Sequence, residues 1–255
     1  LSTRAVLRQW QALFLNDVVA PAELPTSILA YKNQQARWAK GSLQCFWKYG
    51  RALLFTPHHR LAARLYALLT MSAYLTHVLL LIMLLAQGLL IFLNYPLPPW
   101  LRYFGIAGLG QSLLFVMAQQ ALHADWPRRL RHFPTMLLVA IGLSPTTARA
   151  VLEIFLKRRH PFVRTPKGNR LSAPTSRQAA AYWLPFDFLI LAELALALYA
   201  GSALAVALWR GNWGPALFLL TCHLGYSYVA YHGLIESRQT RKQLAVQLDP
   251  VKQAR

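Results

Sequence analysis

Acidic side chains are scarce. Eight Asp and Glu stand against 27 Lys and Arg in 255 residues, leaving a net charge of +19 although only 14% of the side chains are charged and 56% are apolar. A deficit of one sign on so apolar a chain argues against a soluble globule and for a membrane protein that faces anionic phosphates. Cysteine is nearly absent. Cys45 and Cys222 lie far apart without neighbouring metal-ligand spacing, which excludes a disulfide framework or a zinc site and leaves two isolated buried or lipid-facing thiols. No internal repeat and no low-complexity segment is found. The chain opens Leu1-Ser2-Thr3-Arg4 with no initiator Met and no charged leader ahead of a short apolar segment and cleavage site, so it is expected to be a piece of a longer protein.

Long apolar runs, by contrast, are plentiful. About 20 residues cross the hydrocarbon as a helix, and four segments qualify: Tyr66 to Leu93, Tyr103 to Leu122, Tyr182 to Trp209 and Pro215 to Leu234. Gly105, Gly108, Gly110, Gln111 and the Gln119-Gln120 pair interrupt the second, and this polarity suits packing against protein better than lipid. A fifth run, Phe133 to Leu156, carries Pro134 and then Ser144-Pro145, an N-cap with proline in the first helical turn, before the amphipathic TTARAVLEIFLKRR. As a span it would put two basic flanks on opposite sides of the membrane. With four spans, residues 1–65 hold 9 basic side chains, 122–180 hold 11 and 234–255 hold 5, against only Arg102 and Arg210 on the other side. That imbalance follows the positive-inside bias, so Phe133 to Leu156 is read as an interfacial or re-entrant helix, with both chain ends and the central basic loop in the cytoplasm.

Residues 1–26 differ in kind. STRAVLRQW is a short helical pattern, QALFL a possible strand and VVAPAELP a proline-broken connection, together the expected tail of an α/β domain. The predicted fold is mainly α and polytopic: about four transmembrane helices plus two interfacial helices, preceded by that α/β remnant. Its parts are residues 1–26, an interfacial helix in 27–60, two spans in 61–123, a cytoplasmic amphipathic helix and loop in 124–180, two spans in 181–234 and a polar tail in 235–255.

Two constellations carry chemistry. In YKNQQARWAKGSLQCFWKY, a projection at about 100° per residue puts Gln34, Arg37, Trp38 and Gly41 on one face. Ile28, Leu29, Ala36, Ala39, Leu43, Phe46 and Trp47 fall on the other. A guanidinium one turn from an indole on an exposed face can hold a diphosphate by charge-assisted hydrogen bonds while the ring offers a flat surface to a sugar. The plain alternative is an interfacial Trp with a snorkelling Arg, but a membrane anchor belongs on the apolar face, where Trp47 already sits. The second constellation is Phe162-Val-Arg164-Thr165-Pro166-Lys167, in the basic loop after the amphipathic helix. Taken alone, such a loop reads most simply as a solvated lipid-headgroup contact.

The run VVAPAELP followed by QQARWAKG closely resembles the end of the catalytic domain in family 2 processive glycosyltransferases, which include cellulose, hyaluronan and bacterial glucan or mannan synthases. Their Q-x-x-R-W motif on an interfacial helix is matched by Gln34, Arg37 and Trp38. The resemblance implies that Arg37 contacts the nucleotide diphosphate and that Trp38 lies under the acceptor sugar at the mouth of a channel. FVRTPK likewise resembles the F-x-V-T-x-K gating loop of cellulose synthases, with Phe162, Thr165 and Lys167 matching and Arg164 in place of the valine. Whether Arg164 adds a phosphate contact or points to lipid is left open by the pattern.

By the same resemblance, the metal-binding D-x-D motif and the T-E-D general base belong upstream of Leu1. Asp17 and Glu23 lie in a connecting segment and Asp187 and Glu193 inside a span, so none is suited to replace them. The implied activity is that of an inverting hexosyltransferase extending a β-linked polysaccharide with coupled translocation in a bacterial inner membrane. The implied donor is UDP-glucose, with GDP-mannose second. A divalent metal, Mg or Mn, would be held outside this chain. The further partners are the growing glycan and membrane lipids, not nucleic acid. Alternatives are a non-processive transferase that glycosylates a lipid, or a polytopic subunit or transporter without chemistry of its own.

Among the remaining polar residues, a carboxylate at the centre of a span costs roughly 2.5–3.5 kcal/mol on insertion scales. Asp187, near the cytoplasmic end, is expected to reach the interface, and Glu193 to line a channel. His77 and His223 are expected to be hydrogen-bonded packing residues, and His58-His59 interfacial.

Overall fold

The computed structural model describes residues 2–15, 18–22, 24–25, 27–95, 109–156 and 188–248, with backbone alone for 109, 111 and 240–248. Every regular element among them is a helix: α1 Ser2–Leu7, α2 Ile28–Phe55, α3 Leu61–Ser72, α4 Leu75–Phe92, α5 Leu109–Leu122, α6 Trp126–Leu130, α7 Phe133–Gly142, α8 Ser144–Phe155, α9 Leu189–Trp209 and α10 Ala216–Leu248. The chain divides into two compact units. One holds residues 1–79, 144–189 and 232–255, the other 80–143 and 190–231.

The first unit is organised by α2. Its most extensive packing is with α8 and α3, and α1 also touches it. Leu29, Ala30, Ala39, Leu43 and Leu53 are buried along it, and each leucine so covered contributes about 1.5–3 kcal/mol relative to exposure. The helix is secured at both ends. Ser27 caps it, its hydroxyl accepting from the Ala30 amide at 3.1 Å, and the Arg64 guanidinium from α3 donates to the Leu54 carbonyl at 2.7 Å. A hydroxyl at the positive end and a cation at the negative end satisfy groups that have no partner within the helix.

The second unit is built on close approach. In α9 a buried stripe of Ile190, Glu193, Ala197, Ala200, Ala203 and Ala207 presents mostly small side chains, and Leu84, Leu219, Cys222 and Tyr226 belong to the same core as its alanines. Gly225 of α10 lies so near α7 that a Cβ there would stand 2.8 Å from the Leu138 carbonyl oxygen, which explains glycine at this crossing. Helix α9 ends at Gly211 with a φ of 69°, where the Asn212 amide reaches back to the Ala207 carbonyl at 2.8 Å. This is a left-handed cap that glycine adopts without steric cost. Arg210 beside it donates to the Ile91 carbonyl of α4.

Three expectations change. The run from Tyr66 to Leu93 is two helices broken at Ala73-Tyr74, because the hydroxyls of Thr70, Ser72 and Thr76 bond to nearby carbonyls and compete with the helical ladder. Residues 11–15 form no strand; they are exposed, and the described residues offer no ladder for them to join. Three described helical stretches are long and apolar enough to cross a membrane, Leu75–Phe92, Trp126–Phe155 and Leu189–Trp209, and the second of these includes the run expected to be interfacial.

The reasons for that count are local. Most of the second expected span's first turn, residues 103–108, lies outside the described residues, and α5 alone is short. Helix α10 forms, but His223, Tyr226, Tyr228, Tyr231 and His232 dilute its apolarity. The stretch expected to be interfacial meets the length and composition for a span, yet it is three helices in succession, and the chain changes unit at Ser144. Asp187 lies outside the described residues.

The charge asymmetry yields a topological prediction. Single cysteines replacing Asn94, at the end of α4, and Arg238, on α10, will react with an impermeant maleimide from opposite sides of the membrane. Labelling of both from one side contradicts the assigned orientation.

Candidate functional site

On α2 the two faces separate as the projection predicts. Trp38 is 51% exposed, Gly41 is exposed, and Gln34 and Arg37 are half-buried, while Leu29, Ala39 and Leu43 are buried on the other side. Gln34 thus sits one helical turn before the adjacent Arg37 and Trp38 on the same side of α2, with Trp38 its most exposed member. Lys32 shares the inward side, and of the residues assigned to that side Trp47 departs from it. Lys32 is buried at 2% exposure, and Trp47, placed on the apolar side, is 73% exposed, its ring edge-on to Phe155 of α8 with centroids 5.7 Å apart.

Polar ties hold the helix beneath this surface. The Lys40 ammonium pairs with the Glu153 carboxylate of α8, which also has Arg149 at 3.7 Å. Tyr74 donates its phenolic hydrogen to Gln35 Oε1 at 3.0 Å and stacks on His77 with centroids 6.1 Å apart. Ser42 donates to the Met71 carbonyl at 2.9 Å. At the start of the helix the Ile28 and Leu29 amides donate to the two oxygens of Glu236, at 2.7 and 2.9 Å. None of Lys40, Tyr74, Glu153 and Glu236 is singled out by the sequence as a site residue. Their partners lie on other helices, and the only hint is that acids are too few here to be spent on solvation.

The other expected positions distribute as follows. Phe162, Arg164, Thr165 and Lys167 lie outside the described residues. Glu193 is fully buried in α9, and His223 makes a 2.9 Å contact through Nδ1 with the Ala197 carbonyl. Cys45 and Cys222 are free thiols, half-buried and buried. Among the described residues no cluster of three or more His, Cys, Asp or Glu can hold a metal ion, so the donor set here does not fit one.

The Gln-x-x-Arg-Trp face, with Trp38 exposed and Gln34 and Arg37 half-buried, sits on a helix fastened to α8 by the Lys40–Glu153 pair and sets a guanidinium, suited to an anion, beside a flat aromatic ring. Comparison with known proteins bears on this arrangement. The chain is similar to plant mannosyltransferases.

Over 56 residues, 22% of this chain, it is 41% identical to a protein named probable glucomannan 4-beta-mannosyltransferase 3 from Oryza sativa subsp. japonica, covering 10% of that protein. Probable glucomannan 4-beta-mannosyltransferase 7 of the same plant aligns over 153 residues, 60% of this chain and 25% of its own length, at 25% identity. Probable glucomannan 4-beta-mannosyltransferase 4 is 42% identical over 48 residues, 19% of this chain and 9% of that protein. The chain therefore spans a quarter or less of the length of these relatives. No family model matches it, and no solved structure matches it significantly.

The polar seam between α2 and α8 is open to a direct test. Glu153 is only 12% exposed and holds two cations, whereas Arg149 is 47% exposed on its side chain. We predict that Glu153→Gln destabilises the detergent-solubilised protein by roughly 1–3 kcal/mol, while Arg149→Gln costs about 0–1 kcal/mol, as an exposed pair does. Thermal unfolding followed by circular dichroism gives the order. Equal losses would show that Lys40 and Glu153 form an ordinary surface pair.

Proposed function

We propose that this chain is the membrane-embedded acceptor side of a glycosyltransferase that moves a hexose from a nucleotide sugar to a growing β-linked glycan. The observation that carries the reading is the face of α2 on which Trp38 is exposed beside the half-buried Gln34 and Arg37, in a chain similar to proteins named as mannosyltransferases. Those names favour a mannosyl donor, GDP-mannose, ahead of UDP-glucose.

The acceptor hydroxyl, deprotonated by a carboxylate outside the described residues, attacks the anomeric carbon. Its new bond to carbon forms as the bond to the diphosphate breaks, with inversion. Arg37 stabilises the negative charge that develops on the departing diphosphate, and Trp38 holds the acceptor sugar in line for attack. Phe162, Arg164, Thr165 and Lys167 lie outside the described residues, and by their resemblance to a nucleotide-contacting motif they supply further contacts to the donor. A divalent ion, Mg or Mn, would have to be held by side chains that the described residues do not supply. The apolar helices carry the product outward, with the basic ends of the chain in the cytoplasm.

The two key residues should fail differently in the full-length enzyme. Arg37→Ala removes a charge-assisted contact and lowers transfer by about 10- to 150-fold, the factor for roughly 1.5–3 kcal/mol. Trp38→Ala chiefly raises the acceptor concentration needed, and Trp38→Phe retains more activity than Trp38→Ala. Initial rates with radiolabelled GDP-mannose and UDP-glucose at varied acceptor measure both effects. Wild-type transfer by Trp38→Ala alongside an inactive Trp47→Ala would place the site on the opposite face.

A further inference from the structure

The start of α2 is finished by a residue 208 positions away. A helix leaves its first amides without intrahelical acceptors and carries partial positive charge there. In α2 the Ser27 hydroxyl takes the Ala30 amide. The Ile28 and Leu29 amides go one each to Glu236 Oε1 and Oε2, at 2.7 and 2.9 Å. Both carboxylate oxygens are thus engaged by a single helical turn, and the bonds are of the stronger, charge-assisted kind. Glu236 lies on the part of α10 that belongs to the same unit as α2, so the cap joins that end of α10 to the helix bearing Gln34, Arg37 and Trp38.

A bidentate cap constrains more than fraying. Its two oxygens meet two successive amides, whose nitrogens sit about 100° apart around the helix axis while their N–H bonds point along it toward the N-terminus. Turning α2 by one residue, or sliding it by one rise of about 1.5 Å, would break at least one of the bonds. Trp38 is ten residues further along the same unbroken helix, roughly 15 Å from Ile28, so any rotation at the cap is carried to its ring. At the far end Arg64 takes the Leu54 carbonyl, which limits sliding from that side.

We propose that Glu236 is a positioning residue for the Gln34, Arg37 and Trp38 face. Its carboxylate sets the rotation and axial placement of α2 and thereby the angle at which Trp38 and Arg37 meet the acceptor and the leaving group. This rests on the glycosyltransferase reading of that face. Glu236 itself touches neither donor nor acceptor.

The test uses the full-length protein in lipid nanodiscs, as wild type, Glu236→Gln, Glu236→Asp and Glu236→Ala, with two readouts. Hydrogen exchange of the peptide covering residues 27–38 reports the cap without reference to activity. In Glu236→Gln, where an amide donor replaces one acceptor oxygen, and in Glu236→Ala, the first-turn amides exchange faster while the yield of monodisperse protein is unchanged. Steady-state transfer reports positioning. The kcat per folded enzyme falls about 10-fold in Glu236→Gln, the KM for nucleotide sugar stays within about twofold, and Glu236→Asp, which keeps the charge, recovers most of kcat.

A merely structural residue would lower the amount of folded protein and leave kcat per molecule alone, and that result overturns the proposal. So does unchanged exchange in Glu236→Ala, or faster exchange with wild-type kcat. If the folded wild-type enzyme transfers sugar from neither donor, the glycosyltransferase reading fails and takes the positioning role with it. The exchange data then decide the cap alone.

Discussion

A long amphipathic helix can bury only one of its faces, and which face α2 buries decides what this chain can present to a substrate. Leu29, Ala39 and Leu43 turn inward, and α8 and α3 supply the opposing surface. That burial fixes the rotation of the helix to within a residue, since a step of about 100° would expose leucine and bury arginine. Gln34, Arg37 and Trp38 are then left on the open side by geometry. Anchoring at the ends and along the seam converts a preference of rotation into a defined placement, which a site meeting both a sugar ring and a diphosphate needs.

The rarity of acids gives these ties their significance. In a chain with net charge +19, a carboxylate is attracted to many cations, and each one that is sequestered is unavailable to screen the rest. Three of the described acids are engaged with neighbouring groups at helix seams or ends. Glu153 joins α8 to Lys40, Glu236 closes the start of α2, and Asp125 accepts from Arg129 at 2.9 Å beside α6. These three acids serve the architecture, and the basic excess of the chain is left without internal neutralisation by them.

Much of this was legible in the sequence, for reasons that are local. The projection of α2 separated Trp38 from Leu29, Ala39 and Leu43 because helical periodicity depends on nothing distant. The helix starting at Ser144 is similarly encoded by the neighbouring Ser144-Pro145 pair. Long-range ties were not. The Glu236 cap and the Lys40 to Glu153 pair join positions whose spacing carries no signal, and Trp47 is more exposed than its position on the helix wheel suggests. The break at Ala73-Tyr74 was missed because hydropathy treats Thr70, Ser72 and Thr76 as mild polar interruptions, whereas their hydroxyls act on the backbone. Helix α10 forms where a span is expected, but its tyrosines and histidines keep it below the apolarity of the three stretches suited to crossing a membrane.

The central claim is that the open face of α2 meets the sugar. Gly41 lies on that face, exposed, and a Cβ there would have nothing within 4 Å, which makes it the position at which to introduce a photoreactive phenylalanine analogue. Trp47 lies on the other side, exposed and beside Phe155. In inverted membrane vesicles turning over radiolabelled GDP-mannose, the account predicts that illumination attaches labelled glycan to the full-length protein carrying the analogue at position 41, and not at position 47. Glycan attached at 47 but absent at 41, in variants of equal activity, would contradict it.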